Sequence, residues 1–275
     1  MDHKTNGYCV LSQKIPFQLI QITDPHLHAG EEGTLLGLPT QQSLDMVLAK
    51  IREEQPVIDA LIATGDIAQD SSLAAYQRFR AILESFSTVI RWCPGNHDNK
   101  KTMLKAAQGS ELTQNVIVTD NWVILMLDSS VAHKVYGRFE RSQFDLIDEV
   151  AGQYTDKHVL VAFHHHPLPM GSRWIDQQQI KNGAEMLATV KKHPNVKALL
   201  WGHVHQERDE LIDGLRYIST PSTCVQFEPH SEDFSIDKTG PGYRWLKLYD
   251  DGSIESGVSR VQNVEFEIDY SVKGY

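Results

Sequence analysis

Over its first two hundred residues the chain alternates between two hydrophobic rhythms. Short, nearly continuous apolar runs cover residues 17–22, 57–64, 88–93, 122–127, 158–163 and 196–201. Runs of that length, closed by Gly, Pro or Asp, predict buried strands. Between them, amphipathic stretches predict helices near residues 44–54, 71–86, 101–107, 142–152 and 181–192. In the first of these, Leu44, Val47, Leu48 and Ile51 share one helical face, and Thr40 with Ser43 offers capping hydroxyls upstream. Strand and helix in alternation predict an α/β fold. From about Glu207 the helical period disappears. Short strands follow, 214–219 beside a turn at Asp213-Gly214, and 245–249 with 252–259 around Asp250-Asp251-Gly252. The pattern is that of one domain over residues 15–260 with a β-rich C-terminal part, preceded by a polar segment 1–14 and followed by a tail 261–275.

Composition narrows the partners. At 275 residues and 41% hydrophobic the chain can bury a sizeable core. A net charge of -10 argues against a nucleic-acid binder, which needs a basic surface. No stretch approaches the roughly 18–20 apolar residues of a membrane span, and residues 1–14, broken by Asn6-Gly7, lack the apolar centre of a signal peptide. Three scattered cysteines, Cys9, Cys93 and Cys224, suggest neither a disulfide framework nor a structural zinc site, so a cytoplasmic location is expected. Trp92, Trp122 and Trp245 read as core or sheet residues rather than a base-stacking platform. The 13 histidines are the compositional oddity, because several cluster: His26 with His28, His164-His165-His166, and His203 with His205.

Those clusters, with several acids, share one position. Asp24-Pro25-His26, Gly65-Asp66, Gly95-Asn96-His97-Asp98, His164-His165-His166-Pro167 and Gly202-His203-Val204-His205 each follow a predicted strand. In α/β sheets ligands bind outside the carboxyl ends of the strands, so five loops converge on one place. Aspartate, asparagine and histidine supply oxygen and imidazole ligands suited to Fe, Mn or Zn. Asp24 and His26, two apart, would point to one side of an extended segment, and His203 with His205 repeats the spacing. Two such pairs plus Asp66, Asn96 and a further histidine exceed the needs of one ion and fit two, about 3.5–4 Å apart. The glycines before Asp66, Asn96 and His203 suit tight turns with close backbone approach.

The ordered series Asp-x-His, Gly-Asp, Gly-Asn-His-Asp, His-x-Pro and Gly-His-x-His, from Asp24 to His205, resembles the calcineurin-like metallophosphoesterases. The resemblance implies two packed mixed β-sheets flanked by helices, an αββα sandwich. It also implies the ligands: Asp24, His26 and His205 for one metal, Asn96, His165 and His203 for the other, and Asp66 bridging. His165 is chosen because it fits His-x-Pro. Asp66 and His97 are then the catalytic residues, with His97 meeting phosphate or protonating the leaving oxygen, and His26, Asn96, His97 and His205 meet substrate. The Asp-Arg-Gly continuation of the phosphoprotein phosphatases does not follow Asp66, and Gln69 stands where purple acid phosphatases carry a metal-binding tyrosine, so both of those branches fit poorly.

Along the whole chain, stretches such as 63–70, 164–169 and 220–227 resemble the bacterial class III cyclic nucleotide phosphodiesterases. That likeness implies hydrolysis of 3′,5′-cyclic AMP to 5′-AMP by a metal-bridging hydroxide, with Fe and Mn the favoured ions and a homodimer allowed. The alternatives are other phosphoesters, such as 2′,3′-cyclic nucleotides or monoesters, and a non-catalytic scaffold of the same fold. Nucleoside contacts are expected from residues 35–39, 133–138 or the segment after Thr220.

Overall fold

The computed structural model describes residues 9–11, 16–264 and 266–274. Six helices and sixteen strands follow one another as β1(Cys9–Leu11), β2(Phe17–Ile22), β3(Thr34–Leu35), β4(Leu38–Pro39), α1(Thr40–Glu54), β5(Ala60–Thr64), α2(Leu73–Glu84), β6(Val89–Cys93), α3(Lys100–Ala106), β7(Val116–Thr119), β8(Trp122–Met126), α4(Arg141–Gln153), β9(His158–Phe163), α5(Arg173–Asp176), α6(Gly183–Val190), β10(Val196–Trp201), β11(Arg208–Ile212), β12(Leu215–Ser219), β13(Gln226–Phe227), β14(Ile236–Asp237), β15(Gly242–Leu248) and β16(Ile254–Arg260) among the described residues.

A five-stranded sheet runs β16-β15-β2-β5-β6, and a seven-stranded sheet runs β1-β7-β8-β9-β10-β12-β11. In the first, β2, β5 and β6 are parallel and β15 is antiparallel to β2. In the second, β8, β9, β10 and β12 are parallel. The period-2 alternation of strand side chains sorts three hydrophobic layers. Phe17 and Leu19 of β2, with Leu160 and Ala162 of β9, fill the space between the sheets. Ile20 and Ile22 face the other way, onto α1 and α2, through Leu44, Val47, Leu48, Ile51, Tyr76 and Phe79. Val159, Val161 and Phe163 likewise meet α4 and α6 through Phe144, Ile147, Met186 and Val190. The result is the αββα sandwich expected from the family resemblance.

Several elements differ from the sequence reading. Strand β7 pairs antiparallel with β8 across Asp120-Asn121; its apolar run of four is too short to stand out by pattern. Thr40 and Ser43 do not cap α1, whose N-cap is Pro39. Their hydroxyls donate instead to Gly33 O (3.3 Å) and Thr223 O (2.7 Å), tying the helix to neighbouring loops. Of the polar segment 1–14, Cys9–Leu11 form an edge strand parallel to β7, and residues 1–8 and 12–14 lie outside the described residues. The tail folds back: Val261 N donates to Pro241 O and Asp269 N to Leu36 O, both at 2.8 Å. Cys93 and Cys224 are free and buried. Among the described residues no helix is long and apolar enough to cross a membrane.

Candidate metal centre and active site

Parallel strands of both sheets end at the same edge of the sandwich. Asp24 follows β2, Asp66 follows β5 and Asn96 follows β6, while His164 follows β9 and His203 follows β10. A polar layer joins the two sheets just beneath. Gln21 of β2 donates to Thr64 Oγ1 (2.7 Å) and across the interface to Trp201 O (3.3 Å), and it accepts from Thr220 Oγ1. Buried Arg244 donates to Ser219 O at 2.8 Å.

The loops do not continue the strands in extended form. Asp24, His26, Asp66, His203 and His205 all have φ between 48° and 66°, the left-handed region. Aspartate and histidine reach that region more often than most side chains, yet five such residues in one place is a concentration of strain typical of functional sites. The Asp-x-His pairs therefore converge because both members are left-handed, and not because an extended chain alternates its side chains. Glycine permits the close approach. Gly65 (φ 97°) lies where a Cβ would press on His164 Nδ1 and come within 2.7 Å of Gly95 N. A Cβ on Gly202 would overlap Thr23 Oγ1 and sit 2.7 Å from Asp24 Oδ2.

Three imidazoles are oriented alike. Nδ1–H donates to a carbonyl oxygen in each: His26 to Gln69 Oε1 (2.6 Å), His205 to Val225 O (2.7 Å) and His164 to Thr64 O (2.7 Å). That orients the three rings and turns each Nε2 inward. His26 Nε2 and His205 Nε2 then face each other at 3.4 Å, with Asp24 Oδ1 3.3 Å from the latter. Two inward lone pairs at that distance repel unless a cation stands with them. On the other side His164 Nε2 is 3.1 Å from Asn96 Oδ1 and 3.3 Å from Asp66 Oδ2. Asp66 Oδ2 also lies 3.9 Å from His26 Nε2, while its Oδ1 accepts the His97 amide at 2.8 Å. One carboxylate oxygen thus faces both clusters.

The donor atoms of Asp24, His26 and His205 lie within 4.8 Å of one another, as do those of His164, His165 and His203, and those of Asp24, Asp66 and His164. Asp24 Oδ1, His165 Nε2 and His203 Nε2 are buried without a hydrogen-bond partner. Buried polar atoms without partners are costly, so this is the donor set of a site built for cations. Electrostatics agree. Burial, reinforced by neighbouring imidazoles, holds His26 down to about 3 and depresses His165 and His203, so all three offer neutral nitrogens. Burial also works against the His164 imidazolium, but Asp66 and Asp24 prevail and hold it up to about 9. Against the cost of burial, His164 and His97 keep Asp66 well below the usual carboxylate range. The carboxylates therefore call for positive charge where ions would bind.

All the residues marked from sequence, Asp24, His26, Asp66, Asn96, His97, His165, His203 and His205, meet here. His165 differs in detail: its Nδ1 is hydrogen-bonded to Ser129 Oγ at 2.9 Å, and it is His164 whose Nε2 faces Asn96 and Asp66. Sequence reasoning also missed the support. Asp98 accepts from the amides of Ile67 (3.0 Å), Ala68 (3.1 Å) and Gly95 (2.8 Å) and from the Tyr76 hydroxyl (2.9 Å), clamping the Asp66 loop to the Asn96 loop. Its place in Gly-Asn-His-Asp was visible, but nothing in the pattern says which amides it holds.

The model of the calcineurin-like phosphoesterase family matches residues 17–207, which spans every one of these loops. The chain belongs to the calcineurin-like phosphoesterases. It is 44% identical over 257 residues to the 3′,5′-cyclic adenosine monophosphate phosphodiesterase CpdA of Pseudomonas aeruginosa, with 94% of each chain covered. Over 260 residues it is 40% identical to CpdA of Escherichia coli K12, again covering 94% of each. Among solved structures, a dimetal phosphatase from Danio rerio superposes with a TM-score of 0.63 at 17% identity, covering 90% of this chain and 99% of its own. A purple acid phosphatase from yellow lupin gives 0.66 at 12% identity, covering 93% of this chain and 53% of its own. At those identities the likeness concerns the fold.

Proposed function

We propose that this phosphoesterase hydrolyses 3′,5′-cyclic AMP to 5′-AMP at a dinuclear metal centre. The observation that carries the reading is Asp66 Oδ2, which faces His26 Nε2 on one side and His164 Nε2 on the other, the arrangement of a carboxylate shared by two ions. The substrate follows from the CpdA relatives, similar over 94% of both chains. Asp24, His26 and His205 would hold the first ion and Asn96, His203 and a histidine of the triplet the second, with Asp66 between. For the triplet we favour His164 over His165 on the direction of its Nε2. Donors of this kind, without thiolate, suit Fe, Mn or Zn, and we favour Fe and Mn.

Bound ions would neutralise the phosphoryl oxygens and make a water acidic enough to attack near neutral pH. In the reaction the water oxygen bonds to phosphorus, the P–O3′ bond breaks and O3′ takes up a proton. His97 is the residue we assign to give it. Its amide is held by Asp66 Oδ1 and its ring packs edge-on to His26 at 5.0 Å, so it is carried on the metal-binding loop while remaining partly open to solvent. A histidine is suited to this transfer near neutral pH.

The deciding experiment is hydrolysis of 3′,5′-cyclic AMP by metal-stripped protein with and without Mn²⁺ or Fe²⁺, beside a 2′,3′-cyclic nucleotide and a monoester. Metal-dependent 5′-AMP formation with the highest kcat/KM is the expected result. Metal-dependent activity confined to the other esters would overturn the substrate and keep the centre.

A further inference from the structure

Two cavities border Asn96 and His97. One, of about 590 Å³, is also lined by Trp174, Phe234, Gln177, Gln178 and the tail residue Lys273. The other, of about 510 Å³, is lined by Lys100, Lys101, Ser130 and His133 and has no ring larger than imidazole. We infer that the 590 Å³ cavity is the nucleoside subsite, with the base held among Trp174, Phe234 and the paired glutamines, and with the C-terminal tail as part of its wall. The inference rests on the cyclic nucleotide reading above.

The chemistry separates the two cavities. A volume near 600 Å³ is in the range that takes a small organic ligand. Aromatic side chains stack bases, and a glutamine amide can match the donor and acceptor of adenine together. Only the first cavity has both. Its walls are also built in. Trp174 Nε1 donates to Ser231 Oγ at 3.0 Å, and Trp174, Phe227 and Phe234 pack edge-to-face at 5.0–5.5 Å. Phe227 in turn stacks on His205 at 4.2 Å and 10°, so Phe227 is the ring of this cluster that bears on a candidate ligand of the first ion.

The tail docks on that cluster. Phe266 and Ile268 pack with Trp174 against Leu35, Leu38, Phe227 and Phe234. Asp269 N donates to Leu36 O, which places the tail on the β3–β4 hairpin and leads it to Lys273 and Gly274 at the cavity. Lys273 brings a cation to a wall whose acid, Asp233, is paired with Arg173 at 3.4 Å. Residues 173–178 were not among the segments expected to meet the nucleoside, because a four-residue helix leaves no periodic signal.

The test compares kcat/KM for 3′,5′-cyclic AMP with that for bis(p-nitrophenyl) phosphate, a diester without a base, using the full chain loaded with Mn²⁺. Trp174→Ala is expected to lower the value for cyclic AMP about tenfold or more, leaving the base-free diester within about threefold. Trp174→Phe keeps a ring beside Phe227 and should recover most of the loss. Gln178→Ala should narrow the preference for cyclic AMP over cyclic GMP. Lys273→Glu should raise KM for both anionic diesters, by about fivefold, at unchanged kcat. Calorimetry with adenosine on metal-stripped protein gives a readout apart from turnover: binding should be lost in Trp174→Ala and kept in Lys101→Ala. Equal losses on both diesters at full metal content, or adenosine binding lost in Lys101→Ala instead, would overturn the assignment. An unchanged KM in Lys273→Glu would take the tail out of the wall. Wild-type protein that cleaves bis(p-nitrophenyl) phosphate but neither cyclic nucleotide would sink the cyclic AMP reading, and adenosine binding would still decide the cavity.

Discussion

The two sheets bring different chemistry to their shared edge. Loops of the five-stranded sheet carry Asp24, Asp66 and Asn96 together with His26 and His97, whereas loops of the seven-stranded sheet carry imidazoles, His164, His165, His203 and His205. The closest pairs of acid and imidazole in the site cross the interface, Asp24 Oδ1 to His205 Nε2 and Asp66 Oδ2 to His164 Nε2, each at 3.3 Å, whereas His26 Nε2 stands 3.9 Å from Asp66 Oδ2 on its own side. Each sheet alone brings one trio of donors, His26, Asp66 and His97 on one side and His164, His165 and His203 on the other, and packing joins them through the two carboxylates. Ions bound across that join would fasten one sheet to the other.

Metal removal tests that directly and has the largest expected effect. Chelation should take turnover to background. Each ion present at about a hundred times its Kd contributes roughly 2.7 kcal/mol of stability, which chelation should remove. For a chain of this size that is a fall in Tm of roughly 5–10 °C for each ion lost, read by thermal melts with and without chelator. Unchanged melting on complete stripping would show that the centre does not join the sheets. Asp66→Ala comes next. It removes a carboxylate that faces both clusters, so metal content should fall for both ions and kcat by more than about a thousandfold. Loss of a single equivalent would show that Asp66 serves one side only.

How far the sequence could see this site follows from its chemistry. Side-chain type and order survive in a sequence, so Asp24, His26, Asp66, Asn96, His203 and His205 could be marked, and strand-end placement followed from the apolar runs. Backbone conformation does not survive in that way. Five left-handed φ values replace the extended geometry inferred from Asp-x-His spacing. The triplet shows the same gap: three adjacent histidines look alike in sequence, and only the hydrogen bond from His164 Nδ1 to Thr64 O in the opposite sheet turns its Nε2 toward Asn96. The sequence led to an expected tail after residue 260, but no pattern in it says where Phe266 and Ile268 dock, because their cluster is assembled from residues near 35–38, 174 and 224–236.

The triplet therefore offers the sharper comparison between two residues of one loop. His164→Ala should cost one metal equivalent and lower kcat between about a hundred and a thousandfold, with the loss in His165→Ala smaller. The reverse ranking, measured by metal analysis and turnover, would restore His165 as the principal ligand. His97→Ala, on the five-stranded side, should lower kcat about a hundredfold at full metal content. A parallel fall in metal content would make His97 a structural or ligand residue rather than the proton donor.

The smallest effect tests orientation rather than ligation. His26 is held by a side chain, Gln69 Oε1, where its counterpart His205 is held by the backbone carbonyl of Val225. A backbone acceptor cannot be removed by substitution, but Gln69→Ala frees the His26 ring to change tautomer or rotate. Such supporting contacts typically matter at the level of about tenfold or somewhat more in metal affinity. Gln69→Ala should therefore weaken the first ion about tenfold in a competition titration while the second stays unchanged, and excess Mn²⁺ should restore turnover. Equal weakening of both ions would mean that Gln69 acts on the fold of the Asp66 loop, and no weakening would mean that the His26 ring is fixed by packing alone.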